Sequence, residues 1–259
     1  MLLTEFDPNP TAVINPAMAH QPLPEMPETM VSCFSRVTFQ RMAESLNAEP
    51  IAQIKSANMV FPVYRAEYGG TPVALMMAGV GAPLCVGNLE EAFALGVKRV
   101  ILFGNCGVLN RAIGDCSVIL PTAALRDEGT SFHYAPPSDE IEVNPRYREE
   151  FLQILTECGV SHTQGKTWTT DAFYRETMEK VQRRRAQGCV CVEMEAAAVA
   201  ALAQFRGKDA FIFFYAGDNL DNDTWDPRSL SAHDKVEEKD RVALLAFELA
   251  RRITPHETT

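Results

Sequence analysis

Five large apolar residues stand in an unbroken run at Phe211-Ile212-Phe213-Phe214-Tyr215, flanked by Ala210 and Ala216. Successive side chains of a strand point to opposite faces, so a strand of this composition has no face to give to water. It belongs in a sheet covered on both sides. The remaining sequence offers the cover. Strand-like runs at residues 63–68, 73–78, 99–103, 117–120, 166–170 and 190–194 alternate with helix-like stretches at 87–95, 147–158, 175–186, 196–205 and 235–253. This alternation predicts a three-layer α/β/α fold around a central mixed sheet. Gly69-Gly70 predicts a hairpin turn between the first two strands, and Pro145 and Gly159 bracket the 147–158 helix. Residues 1–30 carry Pro8, Pro10, Pro16, Pro22, Pro24 and Pro27 and little periodicity. They are expected to form an extended arm, free to lie on a neighbouring subunit, ahead of a single domain over 31–259.

Composition excludes several function classes. With 46% hydrophobic and 22% charged residues among 259, the chain can bury a core without disulfides or a structural metal. A formal net charge of −10 argues against a nucleic-acid partner, because phosphate backbones demand clustered Lys and Arg. The densest basic run, Arg183-Arg184-Arg185, reads as a solvated helix face. The seven cysteines are Cys33, Cys85, Cys106, Cys116, Cys158, Cys189 and Cys191, with no CxxC pair or Cys/His cluster. A reduced, cytoplasmic, metal-free protein is the expectation. The N-terminus lacks the basic start and apolar run of a signal peptide, and no apolar stretch is long enough to span a membrane.

Four of the strands end at their carboxyl side in polar or glycine-bearing turns: Ala78-Gly79-Val80-Gly81, Gly104-Asn105-Cys106-Gly107, Cys191-Val192-Glu193-Met194-Glu195 and Ala216-Gly217-Asp218-Asn219. In open α/β sheets ligands bind beyond the carboxyl ends of the strands, so these segments are expected to face one pocket. Glu193 and Glu195 sit among Val, Met and Ala, where an unpaired carboxylate is costly. If both remain on the strand they share a face, and a carboxylate pair suits a sugar diol. The other reading makes Glu195 the acidic first residue of an Ala-rich helix. Asp218, at the mouth of the most apolar strand, is either a proton donor with a raised pKa or a turn or helix-cap residue. Gly79-Val80-Gly81 lacks the third glycine of a dinucleotide fingerprint and reads as a turn offering N–H groups to an anion. Phe173 is either a base-stacking ring or a core residue. His133, in a polar loop, reads as surface.

Six segments resemble, in order, those of the nucleoside phosphorylase superfamily, which includes hexameric purine nucleoside phosphorylases, uridine phosphorylases and methylthioadenosine nucleosidases. They are Gly79-Val80-Gly81-Ala82-Pro83, Phe103-Gly104-Asn105-Cys106-Gly107, Arg126-Asp127-Glu128-Gly129-Thr130-Ser131, Thr170-Asp171-Ala172-Phe173-Tyr174, Val192-Glu193-Met194-Glu195-Ala196 and Gly217-Asp218. The resemblance implies that Glu195 holds the ribose 2′ and 3′ hydroxyls, with Met194 against the sugar and Glu193 in support. It implies that Phe173 flanks the base and that Asp218 is the acid that protonates N7 of a departing purine. Gly104 and Asn105 would line the substrate site, and Gly81 and Arg36 would contact phosphate. Uridine phosphorylases read uracil with a Gln and an Arg shortly after the Phe-Tyr pair. Arg175-Glu176-Thr177 lacks that pattern, which favours a purine.

The chain departs from the family at the phosphate positions. Val31-Ser32-Cys33-Phe34-Ser35-Arg36 stands where a Gly-Asp-Pro turn and an Arg are usual. Leu102 stands where a second Arg is usual, and Asn105 replaces a Ser or Thr. Three activities follow as alternatives: phosphorolysis with inorganic phosphate as co-substrate and no cofactor, hydrolysis by water, and nucleoside binding without turnover. The resemblance also implies a homo-oligomer, a dimer or a hexamer, in which His20 or Arg65 is a candidate for completing a neighbour's site.

Overall fold

The computed structural model describes residues 2–222, 224–231 and 233–254. Met1 of the expected arm and residues 255–259 of the expected domain lie outside them. In chain order the elements are β1 (Thr29–Cys33), α1 (Arg36–Ser45), β2 (Glu49–Lys55), β3 (Val60–Tyr68), β4 (Thr71–Met77), α2 (Ala82–Leu95), β5 (Arg99–Val108) and β6 (Val118–Asp127). There follow β7 (Glu140–Glu142), α3 (Arg148–Glu157), β8 (His162–Thr170), α4 (Met178–Ala186), β9 (Cys189–Glu193), α5 (Ala196–Arg206), β10 (Asp209–Asn219) and α6 (Val236–Ile253).

The apolar run is β10, and it is buried on both faces. Ile212, Phe214 and Ala216 join one core cluster, while Phe211, Phe213 and Tyr215 join another. The first cluster takes in α2 and α5, and the second takes in α3 and α6. Each fully buried ring here contributes roughly 1.5–3 kcal/mol of transfer free energy. Phe213 stacks on Phe103 of β5 at 5.6 Å and meets Phe151 of α3 at 4.6 Å, which fixes the helix against the strand. On the opposite face α5 is buried from Ala196 through Ala203. Its small side chains let it approach the sheet, α2 and the 3₁₀ turn at Thr130–His133 together. These are the three layers expected.

The sheet is mixed, as expected, but it is not an open layer throughout. β4, β1, β5 and β10 run parallel, and β3 and β2 continue antiparallel beyond β4. Gly69 and Gly70, both at positive φ, make the β3–β4 turn, with Tyr68 opposite Thr71. Beyond β10 come β6, antiparallel to it, and then β8 and β9 in parallel. β9 returns to the far end of β5 at Gly107↔Val192. Strands β5, β10, β6, β8 and β9 therefore close a ring; β1, β4, β3 and β2 form its open flank, and β7 pairs with β6. Closure of this kind depends on long-range pairing that local periodicity does not carry.

β1, α1 and β2 were not anticipated as elements. Thr29 to Cys33 is buried at every position, whereas β2 is mostly exposed and weakly patterned. Residues before β1 make two 3₁₀ turns, Leu2–Thr4 and Pro16–Met18, and lie on α2 and α5 of their own chain. Phe6 meets Phe205, Arg206 donates to the Pro10 carbonyl at 2.9 Å, and His20 pairs with Glu91 at 2.6 Å. In the basic run Arg183 and Arg185 are exposed, but Arg184 is half-buried over the Trp168 ring and paired with Asp127. Among the described residues no helix is long and apolar enough to cross a membrane.

Candidate active site

The carboxyl ends of β4, β5, β9 and β10 open into one cleft of about 750 Å³. Two of the four segments expected to be turns are strand. Asn105 to Gly107 continue β5, and Gly217 to Asn219 continue β10. The pairing slips at Gly217, so that Ala216 faces Cys106 while Asp218 faces Gly107. A bulge of this kind re-aims the next side chain, here Asp218, into the cleft. Glycine is required on both sides of that slip. A Cβ on Gly217 would come within 2.8 Å of the Asn105 Cβ, and one on Gly107 within 3.2 Å of the Asp218 carboxylate. Asp218 is thus neither a turn residue nor a helix cap. Its Oδ2 accepts a hydrogen bond from Trp225 Nε1 at 2.8 Å. Burial raises its pKa, opposed by that indole N–H and by Arg228.

The two glutamates divide the work at the end of β9. Glu193 closes the strand, and its carboxylate is fully engaged. Oε1 accepts from the Thr167 and Thr169 hydroxyls of β8 at 3.1 and 2.6 Å. Oε2 accepts from the backbone N–H groups of Glu195 and Ala196, both at 2.7 Å. Thr169 Oγ1 also accepts from Ala197 N at 3.0 Å. Three donors at the first turn of α5, the N–H groups of Glu195, Ala196 and Ala197, are thus satisfied by β8 and β9. Glu195 has already left the strand, so the period-2 argument for a shared face does not apply. It is the N-cap residue of α5 without a side-chain cap bond, and it reaches across to accept Gly81 N–H at 2.5 Å. Gly81 takes a φ of 93° at the start of α2, a conformation suited to glycine, and this aims its N–H at the carboxylate. Burial pushes Glu195 up to about 8, and the Glu193 charge adds to that. A carboxylate oxygen pair has about four acceptor sites, so Glu195 retains capacity for hydroxyl donors.

Part of the cleft lining is aromatic. Phe173 and Tyr174 follow β8 with rings 4.2 Å apart and are 51% and 90% exposed; Trp225 is 61% exposed. Rings held out to solvent along a cleft are platforms for a flat ligand rather than core residues. Asp171 accepts from Gly129 N at 2.9 Å and Thr170 Oγ1 from Ala172 N at 3.3 Å, which pins the segment.

The cleft brings together Asn105, Phe173, Glu193, Met194, Glu195 and Asp218. Gly104, Gly81, Arg36 and His133 are not among its lining residues. Gly104 lies under the Phe34 ring, where a Cβ would come within 2.7 Å. The Gly81 N–H is taken by Glu195, and Arg36 is exposed at the start of α1. Leu102 is fully buried in the core. Among the described residues, no Lys, Arg or His lines the cleft, whereas Glu176, Glu193, Glu195 and Asp218 do. Among the lining residues to which the sequence assigned no role are Glu176 and Trp225. Glu176 follows the aromatic pair, and Trp225 sits in the polar segment after β10. A tryptophan within Asp221-Asn222-Asp223-Thr224-Trp225-Asp226 is the one signal that pointed to the second.

Residues 30–254 match the family described as the phosphorylase superfamily. The guanosine phosphorylase of Halorubrum lacusprofundi is 29% identical over 205 residues, which is 75% of this chain and 83% of that protein. The DeoD-type purine nucleoside phosphorylase of Bacillus cereus is 28% identical over 166 residues, 61% of this chain and 68% of that protein. Among solved structures, the uridine phosphorylase of Vibrio fischeri aligns with a TM-score of 0.74 at 21% identity, covering 88% of this chain and 93% of that one. The last likeness concerns the fold alone.

Proposed function

The chain belongs to the phosphorylase superfamily, and from that premise we propose that it cleaves the N-glycosidic bond of a purine nucleoside by phosphorolysis. Inorganic phosphate is the co-substrate, and base and ribose 1-phosphate are the products; no cofactor or metal takes part. The observation that carries this reading is one cleft lined by Glu195, Asp218 and the aromatic residues Phe173, Tyr174 and Trp225. Glu195 accepts from the ribose hydroxyls while Gly81 N–H fixes its orientation. Phe173 flanks the base. Asp218, whose proton is favoured by burial, protonates N7 as the C1′–N9 bond breaks, so the bonding electrons leave on a neutral base. A placed general acid contributes roughly 10²–10⁴-fold.

One observation favours water as nucleophile instead. A phosphate dianion entering this cleft meets four carboxyl groups and no cation among the described lining residues. The phosphorolytic reading therefore carries with it a homo-oligomer, dimer or hexamer, in which a neighbouring subunit supplies the cation. The exposed apolar rim of Val80, Tyr174 and Met178 is consistent with such cover. All seven cysteines are free thiols, which supports a reducing, cytoplasmic setting.

The test is base release from purine and pyrimidine nucleosides with and without inorganic phosphate, with analysis of the sugar product. The expected result is purine release that requires phosphate and yields ribose 1-phosphate. Release that ignores phosphate and yields free ribose makes the protein a hydrolase. Saturable nucleoside binding with no release makes it a binding protein.

A further inference from the structure

The amino ends of β5 and β10, at the other end of these strands from the cleft, border a second cavity of about 450 Å³. Val199, Ala200 and Ala203 of α5 line it, together with residues 142–146 and the start of β10. Every backbone N–H and C=O of a strand needs a partner, and in β10 they can be followed one by one. Asp209 N–H turns toward β5 and donates to the Lys98 carbonyl at 3.2 Å, so the even-numbered residues turn the other way. Ala216 exchanges bonds with Cys116 and Ser117, and Phe214 pairs with Ile119 of β6. Ile212 lies beyond that pairing and is met by a side chain instead. Its N–H donates to Asn144 Oδ1, and Asn144 Nδ2 donates to its carbonyl, both at 2.7 Å. The next in line is Ala210, at the cavity. Among the described residues no strand, loop or side chain takes its N–H and C=O on that side.

The charges around this cavity are the reverse of those in the cleft. Lys98, Arg99, Arg146 and Lys208 line it against Glu142 and Asp209, in a chain of net charge −10. Asp209 is already engaged by Arg146 at 3.2 Å and by the Tyr147 hydroxyl at 2.6 Å. Glu28 engages Lys98 and Arg99. Lys208 is left with no carboxylate partner among the described residues, its Nζ 5.6 Å from the centre of the Phe93 ring.

We propose that this cavity is a second ligand site, separate from the catalytic cleft, for a nucleoside 5′-monophosphate. The edge of the base takes the Ala210 N–H and C=O, and the phosphate takes Lys208. A carboxamide and a base edge with N–H beside C=O space their donor and acceptor alike. Asn144 on Ile212 is therefore the pattern for a base on Ala210. Only one residue's pair is free, which is room for a base but not for an added peptide strand. The small side chains of α5 give a flat ring an apolar surface, and the volume lies in the range of small-molecule sites.

The experiment is calorimetric titration of GMP and of ribose 5-phosphate, without inorganic phosphate, into the wild type and into Ala210→Leu, Lys208→Ala and Glu195→Ala. The Ala210 side chain is half-buried against the α5 side of the sheet, so leucine there fills the cavity. GMP is expected to bind the wild type and Glu195→Ala alike, about 100-fold more weakly to Ala210→Leu and about 3–10-fold more weakly to Lys208→Ala. Ribose 5-phosphate, which keeps the anion and lacks the base, is expected to bind at least about tenfold more weakly than GMP. Equal GMP binding to the wild type and Ala210→Leu overturns the proposal, as does ribose 5-phosphate binding as tightly as GMP. Binding lost in Glu195→Ala but kept in Ala210→Leu puts GMP in the cleft and overturns it too, and so does no GMP binding at all. Should Ala210→Leu fail to fold, Lys208→Ala and the comparison of the two ligands decide without it.

Discussion

The parts of the cleft proposed here for the sugar and for the base are built by opposite means. At the sugar end, Glu193 and Glu195 are buried and anchored by backbone N–H groups at the starts of α5 and α2. At the proposed base end, Phe173, Tyr174, Glu176 and Trp225 sit on connecting segments, and Glu176 has no hydrogen bond to a described residue. The first end is part of the folding of the sheet and its helices. The second can change its side chains without disturbing a strand or a helix. A site arranged in this way keeps the sugar chemistry constant and leaves base choice adjustable, which is how a common fold serves different bases.

The largest effect that would test this division lies at Asp218, where strand and loop meet. Asp218→Asn keeps the shape and the acceptor for Trp225 Nε1 but removes the acidic proton. We expect kcat for purine nucleosides to fall by roughly 10²–10⁴-fold while ribose-dependent binding stays close to that of the wild type. Single-turnover kinetics beside equilibrium binding separates the two quantities. Turnover equal to wild type would remove Asp218 from the chemistry and leave the base end as a binding surface only.

The next largest effect sets the two glutamates against each other. Glu193→Ala strips two backbone donors and two threonine hydroxyls of their acceptor, so a loss of about 2–4 kcal/mol in denaturant stability is expected. Glu195→Ala removes a carboxyl group whose ionisation burial already disfavours, so its stability cost is expected at about 1 kcal/mol or less. Its kinetic cost is larger: KM rises and kcat falls, for about a hundredfold loss in kcat/KM from two hydrogen bonds to the ribose hydroxyls. Reversed results, with Glu195 stabilising and Glu193 kinetic, would exchange the roles assigned to them.

The same contrast explains which parts were legible in the sequence. The β10 run, the Gly69-Gly70 hairpin and the Ala-rich α5 were readable because local pattern and tertiary burial agree there. The upper halves of β5 and β10 were read as turns because Gly104-Asn105-Cys106-Gly107 and Gly217-Asp218-Asn219 are poor strand formers. They are held extended by pairing with each other and with β9, which is information from distant parts of the chain. Glu193 and Glu195 stood out as carboxylates in apolar surroundings. Glu176 did not, because nothing local distinguishes it from a solvated loop residue; only the fold brings it opposite Asp218.

The smallest effect concerns Trp225, which reaches back from the segment after β10. That segment is fixed by Asn219 N–H to the Asp226 carbonyl at 2.9 Å and by Arg228 to the Ile113 carbonyl at 2.8 Å. The indole N–H favours the ionised form of Asp218 and so opposes the protonation that chemistry at N7 requires. Trp225→Phe keeps the ring and deletes the donor. The Asp218 pKa then rises further, the protonated acid persists to higher pH, and the alkaline limb of kcat/KM moves upward. At neutral pH the change should stay below about tenfold, because one hydrogen bond is exchanged for water at a 61% exposed position. An alkaline limb that stays in place, measured on guanosine over the whole pH range, would mean that the Trp225 contact opens before the substrate is seated.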